Sequence, residues 1–324
     1  MSKELSKDSL LNITTNTWTR KTLVVAVELE IFAKIQKGID TVQKIAEELN
    51  TNIKPIERLL NACVALGFLE KEGEIYKNTP SSEKLLVKES PSFYGDYILL
   101  CDKLDKNWDH LKESILKGEP LEHTRVNFED PIFTRAMHNS ALDPANVLSE
   151  ELDLSSYKNL LDLGGGSGAY SIILTNKNKN LKATILELPK VCEVANEYIQ
   201  KLGDKSRINT LSGDYLEDEL LQGFDIVLLS QILHSHSVTE CKELLKKIYD
   251  ILPQDGLIII NEFLLNSDKT SPVFPALFSL VMFLETKGSS YTEEEIKAWL
   301  TECNFKDIRI LPLLGPHTAI IAKK

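Results

Sequence analysis

Long hydrophobic runs are missing from this 324-residue chain. Its longest apolar stretches, Leu257–Ile260 and Phe278–Leu284, fall far short of the roughly 20 residues that span a bilayer. That argues against a membrane partner. The start, MSKELSKDSL, has no apolar core and no small-residue cleavage site, so no secretory signal is expected. Paired cysteines are also missing. Cys63, Cys101, Cys192, Cys241 and Cys303 are odd in number and contain no C-x-x-C. They read as reduced cysteines packed as small hydrophobes, which points to the cytoplasm and gives no support for a metal site or disulfide framework. Positive charge is in deficit, with 37 Lys and Arg against 48 Asp and Glu, a net charge of -11. Such a surface repels phosphate backbones, so nucleic acid is not expected as a partner.

What is present falls into two textures. Up to about residue 150 the apolar residues recur at helical spacing. Thr22–Lys34 reads as one buried helix. Asp40–Leu49 and Lys54–Leu66 form two helices around the turn Asn50–Asn52, and Gly67–Asn78 reads as a small hairpin. Helix, turn, helix, hairpin is the order of a winged helix. Its second helix offers Lys54 and Arg58 offset by Glu57, which fits a scaffold or dimerisation role better than DNA binding. Residues 91–140 look helical, with breaks at Pro120 and Pro131.

From Lys158 the texture changes. Asn159–Leu163, Ala183–Leu186, Ile208–Leu211, Asp225–Leu229 and Leu257–Ile260 are short apolar runs, as strands buried on both faces should be. Helical stretches at Ala169–Thr175, Pro189–Leu202 and Val238–Leu252 alternate with them, which predicts a parallel, doubly wound α/β sheet. Ile308–Pro312 and Thr318–Ala322 are joined by too short a gap for anything but an antiparallel pair, so the sheet ends in a hairpin. The expected organisation is a helical, winged-helix-like part over 1–150 and a Rossmann-like part over 151–324.

The sharpest chemical signal is LLDLGGGSG at Leu160–Gly168, a buried strand running into glycines with a helix directly after. Glycines there allow a tight turn and a close ligand approach at a helix N-terminus. Gly164, Gly166 and Ala169 also satisfy the dinucleotide pattern, with Glu187 near the ribose-binding distance, so a nicotinamide or flavin enzyme competes. Three features favour another ligand. Asp162 precedes the turn, where its charge would repel pyrophosphate and attract the cationic amino acid end of S-adenosylmethionine. Asp214 and Tyr215 follow the third strand as an acidic and aromatic pair suited to adenine. The terminal hairpin is unlike an all-parallel dinucleotide sheet.

With these residues, together with residues 20–32 (RKTLVVAVELEIF) and Phe133–Ser140 (FTRAMHNS), the chain resembles the class I S-adenosylmethionine-dependent O-methyltransferases. More closely it is similar to the plant caffeate and acetylserotonin branch and its bacterial relatives, over about residues 15–324. The resemblance implies a winged-helix-like dimerisation domain before a Rossmann-like catalytic domain, hence a homodimer. It implies S-adenosylmethionine as methyl donor, with S-adenosylhomocysteine as product and no metal. By position, Asp162, Gly164 and Gly166 match the loop around the methionine portion, and Glu187 the usual ribose-binding aspartate. Asp214 and Tyr215 match the adenine contacts, and Ser230 stands where relatives often carry Lys or Arg.

The same resemblance places His234, in LLSQILHSHS, at the general base, with Glu262 as its carboxylate partner. Histidine suits the role because a free imidazole titrates near neutrality and the donor's methyl is already activated. The acceptor is then a small-molecule hydroxyl, phenolic or polyketide-like, lined by Met137, Phe133, Phe278 and Met282. Carbon or nitrogen acceptors, a non-methylating enzyme of the same fold and a ligand-sensing DNA-binding regulator are the rival readings. Ser290 is a departure: it stands where members that methylate phenols often have a second glutamate, and nearby Glu285 is not assigned that role. His236, where relatives commonly have tryptophan, is expected to pack beside the site, and His138 and His317 to be structural.

Overall fold

A computed structural model describes residues 5–124 and 126–324 and divides into two compact units, one up to Asp105 and one from Lys106. In the first unit, α1 (Lys7–Glu28) opens on a capping box in which Ser6 and Ser9 satisfy each other's backbone N–H. Its last turns bury Val24, Ala26 and Val27. The single helix expected over Thr22–Lys34 is broken. Glu30 adopts φ 51°, in the left-handed region, and α2 (Ile31–Gln36) begins after it. The apolar series Val24, Val27, Ile31, Ile35 keeps helical spacing straight through the break, so periodicity could not reveal it.

Next come α3 (Val42–Glu48) and α4 (Ile53–Ala65), then the antiparallel pair β1 (Leu69–Glu72) and β2 (Ile75–Asn78). Gly73, at φ 62°, supplies the turn between them. The order is the winged-helix order expected. Tyr76 is wholly buried and its hydroxyl donates to Asn61 Oδ1 at 2.8 Å. Two further helices, α5 (Pro80–Leu85) and α6 (Gly95–Leu104), complete the unit.

The second unit opens with α7 (Leu111–Lys117) and the long α8 (Pro131–Glu151). Pro131 sits in the first helical turn, where its missing N–H is harmless, and Asp130 caps Ile132 N at 3.0 Å. The α/β part alternates as read: β3 (Asn159–Leu163), α9 (Ala169–Lys177), β4 (Lys182–Glu187), α10 (Pro189–Leu202), β5 (Ile208–Ser212), β6 (Ile226–Ser230), α11 (Val238–Ile251) and β7 (Leu257–Phe263). Two helices, α12 (Val273–Glu285) and α13 (Glu293–Glu302), precede the hairpin β8 (Lys306–Pro312) and β9 (His317–Lys323). The boundary expected at 150 falls in the last turn of α8, whereas the two compact units divide at Asp105. That helix packs on α9 and α10, so it belongs to the compact unit of the sheet.

The seven strands run in the order β5-β4-β3-β6-β7-β9-β8. The first five are mutually parallel, β9 is antiparallel to β7, and β8 to β9, giving the terminal hairpin expected. Alternation along the central strands fills two cores. Leu161, Leu163, Val227, Leu229, Ile258 and Ile260 meet α11 and α13 on one face. Leu160, Ile226, Leu228, Leu257 and Ile259 meet α8, α9 and α10 on the other. Because β3 pairs with β4 on one side and β6 on the other, the winding reverses there. In such sheets the crevice beyond the strand C-termini at the reversal is where ligands bind. No helix among the described residues is long and apolar enough to cross a membrane.

Candidate active site

The glycine turn leaves β3 at that reversal. Gly164, Gly166 and Gly168 take φ of 62°, 56° and 76°, a region that side-chain-bearing residues rarely adopt. Gly164 also has no room for a side chain, since a Cβ there would strike Ile232 and approach the Tyr215 ring at 3.3 Å. Beneath the turn lies Asp162, 1% exposed. Its Oδ2 accepts from Ser171 Oγ at 2.7 Å, while Oδ1 is buried with no partner among the described residues. Burial pushes this carboxyl up to about 7, against the pull of the Ser171 bond.

Glu187, at the end of β4, closes the next side. Its two oxygens accept from Gly166 N and Leu188 N, both at 2.9 Å, and burial raises its pKa. Asp214 Oδ1 accepts from Leu216 N at 2.9 Å in the turn after β5. Tyr215 beside it lies against Gly164 and shares a 2.9 Å hydrogen bond with His236 Nε2. Asp162, Gly164, Gly166, Glu187, Asp214 and Tyr215 thus gather at the ends of three neighbouring strands. Ser230 ends β6 but its Oγ accepts from Asn261 Nδ2 at 3.0 Å, and Asn261 also holds Tyr170 at 2.9 Å and His317 at 3.2 Å.

His234 sits on the 3₁₀ turn Leu233–Ser235 directly after β6. Glu262, in the adjacent β7, is 3% exposed. Its Oε2 lies 2.7 Å from His234 Nδ1, and its Oε1 accepts from Ile232 N at 3.0 Å and His234 N at 3.3 Å. One carboxylate therefore holds both the ring and the turn that carries it. A proton on Nδ1 facing the carboxylate leaves the lone pair on Nε2. Phe278 of α12 meets the imidazole edge to face at 4.9 Å, and Phe263 lies parallel to it at 6.4 Å.

Of the other residues expected to line an acceptor, Met282 is buried one turn beyond Phe278. Phe133 packs edge to face on Phe128 at 5.3 Å, and Met137 is half-buried on α8. Ser290, a serine where a second carboxylate was at issue, is 1% exposed and its Oγ has no partner among the described residues.

One participant escaped sequence reasoning, and one residue expected to be structural proves to brace the glycine turn. A Cβ on Gly288 would overlap the His234 carbonyl and come within 2.7 Å of His236 N, so the loop after α12 lies directly on the turn of the candidate base. His138 Nδ1 lies 2.7 Å from Ser167 Oγ in the glycine turn, and its ring stacks on Tyr198 at 3.7 Å. Burial lowers its pKa to about 4, so it is a neutral strut between α8 and the turn. Its place beside Met137 was the available signal. His317 is likewise held down to about 4 by burial, in keeping with a structural role.

Residues 121–306 match the O-methyltransferase domain model, and residues 11–88 the O-methyltransferase dimerisation domain. The chain belongs to the O-methyltransferase family. It is 32% identical, over 95% of its length and 92% of the relative's, to 3-hydroxy-5-methyl-1-naphthoate 3-O-methyltransferase of Streptomyces sahachiroi. N,N-dimethyltransferase OxyT of Streptomyces rimosus is 27% identical over 97% of this chain and 96% of its own. In fold it is similar to human N-acetylserotonin methyltransferase, solved in complex with S-adenosylmethionine, at a TM-score of 0.89 and 24% identity, covering 100% of this chain and 99% of that one. This O-methyltransferase takes its methyl group from S-adenosylmethionine, and the dinucleotide reading of the glycine turn falls away. The residues suit that donor: Asp162 Oδ1 is buried with no partner among the described residues, which fits a cationic group, and open space lies above Gly166 in the glycine turn.

Proposed function

We propose that this member transfers the methyl group to a hydroxyl of a small phenolic or polyketide-like molecule, with His234 as general base. Bound S-adenosylmethionine supplies a sulfonium-activated methyl group. Asp162 then pairs with the donor's amino end, Gly164 and Gly166 open the turn around its methionine portion, and Glu187 takes the ribose hydroxyls. Asp214 and Tyr215 flank the adenine, and Ser230 stands at the donor side of β6. His234 Nε2 accepts the acceptor's hydroxyl proton. Glu262 keeps the ring oriented and stabilises the imidazolium that forms. The observation that supports this reading is the 2.7 Å contact between His234 Nδ1 and Glu262 Oε2. Phe278 and Met282, with Met137 and Phe133, supply the apolar walls that a ring-bearing acceptor needs. A nitrogen acceptor is the second reading, favoured by the similarity to an N,N-dimethyltransferase.

The proposed assembly is a homodimer through the N-terminal helices, supported by the dimerisation-domain match and by Leu10, Leu11, Ile13 and Trp18 exposed along α1. The proposed division of labour gives dimerisation and the acceptor lid to residues 1–150 and donor binding to 151–324. Cysteines left as thiols suit the cytoplasm.

The experiment is product mapping with methyl-labelled donor on a panel of naphthols, phenols and their amino analogues, with wild type and His234→Ala. The expected product carries the label on oxygen and is lost in the variant. Label on nitrogen, at equal rates in both proteins, overturns the reading.

Asp162 gives a pH signature. Its folded-state pKa lies above the unfolded one, so its contribution to stability in the donor-free protein is full below about 4 and is lost as pH rises through about 7. A cation beside it favours the carboxylate, so donor binding at pH 6 should release a proton, and affinity should climb as pH rises toward 7. Calorimetry in two buffers of different ionisation enthalpy checks this. The apparent heats should differ for wild type and converge for Asp162→Asn; equal heats in wild type contradict it.

A further inference from the structure

We propose that Glu285 determines acceptor specificity, and that the preferred acceptor carries a hydrogen-bond-donating group, an amine or a second hydroxyl, at the end remote from the oxygen that is methylated. This rests on the reading of His234 as the base that marks the methyl-transfer end.

Glu285 is the last residue of α12, 5% exposed. It lies seven positions after Phe278, which turns it back to nearly the same face of the helix, with Met282 between them. Phe278 touches the His234 ring, so this face runs from the base to the carboxyl, about 10 Å along the helix axis. A multi-ring acceptor with one substituent at each end spans that length.

Among the described residues, the packing gives this carboxyl one hydrogen bond and no cation. The C-terminal end of a helix carries partial negative charge and disfavours an anion. Glu285 Oε1 accepts from Asn107 Nδ2 at 3.2 Å, and no cation stands among the described contacts of Glu285. The same Asn107 amide donates to Thr124 O at 2.9 Å, and Thr124 Oγ1 donates to Leu284 O at 2.6 Å, which pins the cluster. Two acceptor oxygens, Glu285 Oε2 and Asn107 Oδ1, are left without a donor among the described residues, and neither is fully sealed from solvent. A pair of acceptors calls for a ligand that donates. Burial holds the Glu285 carboxyl up at about 7, so an ammonium group would draw out its ionised form, while a hydroxyl could donate to either form.

The test compares kcat/KM for a plain naphthol, its aminomethyl-substituted analogue, which carries an ammonium group at neutral pH, and its dihydroxy analogue in wild type, Glu285→Gln and Glu285→Leu. Wild type is expected to prefer at least one substituted probe by 10-fold or more, as one charge-assisted hydrogen bond implies. Glu285→Gln should erase an amine preference, chiefly through KM, while retaining part of a hydroxyl preference. Glu285→Leu should erase both, with kcat on the plain naphthol retained. The two substituted probes thus distinguish amine from hydroxyl. Selectivity that is unchanged in folded Glu285→Gln and Glu285→Leu overturns the proposal, as does a wild type that turns over all three probes alike. Those outcomes leave the His234 reading standing. Turnover of no hydroxyl probe by wild type removes that reading, and this one with it.

Discussion

Glu262→Gln is expected to lower kcat by about 10²–10⁴-fold in a protein that still folds and still binds donor. The substitution is nearly isosteric, so packing around β7 is kept. With its amide oxygen toward Ile232 N and His234 N, the two backbone bonds survive and the –NH₂ faces His234 Nδ1. That nitrogen must then offer a lone pair, which moves the ring proton to Nε2, the atom that should receive the hydroxyl's proton. With the amide reversed, the ring bond survives but two backbone N–H groups meet an –NH₂. Either way the turn or the tautomer is wrong. Single-turnover rates beside donor affinity check this; a rate within threefold of wild type would contradict the assignment of Glu262 as the positioning carboxylate.

Gly288→Ala should be nearly as damaging, although Gly288 touches no substrate in this account. Its φ lies outside the left-handed region, so alanine meets no local strain. The whole effect comes from the new Cβ overlapping the His234 carbonyl and lying 2.6 Å from its carbonyl carbon. A Cβ is fixed by its own backbone, so its clash with the His234 backbone cannot be relieved by a rotamer change, and either the loop after α12 or the turn Leu233–Ser235 must shift. A displacement of about 1 Å at a reacting group costs about 10²-fold in rate. The overpacking should also destabilise by about 1–3 kcal/mol. Expected readouts are kcat down about 10²-fold, donor affinity within a fewfold of wild type, and a Tm lowered by several degrees. Unchanged kcat with a lowered Tm would mean that the turn of His234 does not depend on this contact.

These two sites mark how far the sequence alone discloses the structure. Central strands such as Ile226–Ser230 and Leu257–Phe263 are buried on both faces, and continuous apolar runs announce that directly. The glycine turn and Asp162 sit at a strand end, where motif and order of elements locate them, and the His234–Glu262 pair is placed by the family resemblance. The break at Glu30 was hidden because the apolar series continues across it. The compact-unit division at Asp105 was hidden because α8 looks like the helices before it but packs on the sheet. Gly288, His138 with Ser167, and Tyr215 with His236 act through contacts between residues 21–54 positions apart. A spacing pattern does not encode contacts of that kind.

Rapid-quench product analysis of His234→Ala, with donor binding measured on the same preparation, bears most directly on the mechanism proposed. The expected result is donor uptake like that of the unaltered enzyme and O-methylated product formed at least about 10²-fold more slowly. Product appearing at the unaltered rate would show that the imidazole takes no proton, and the chemistry assigned to this turn would have to be abandoned.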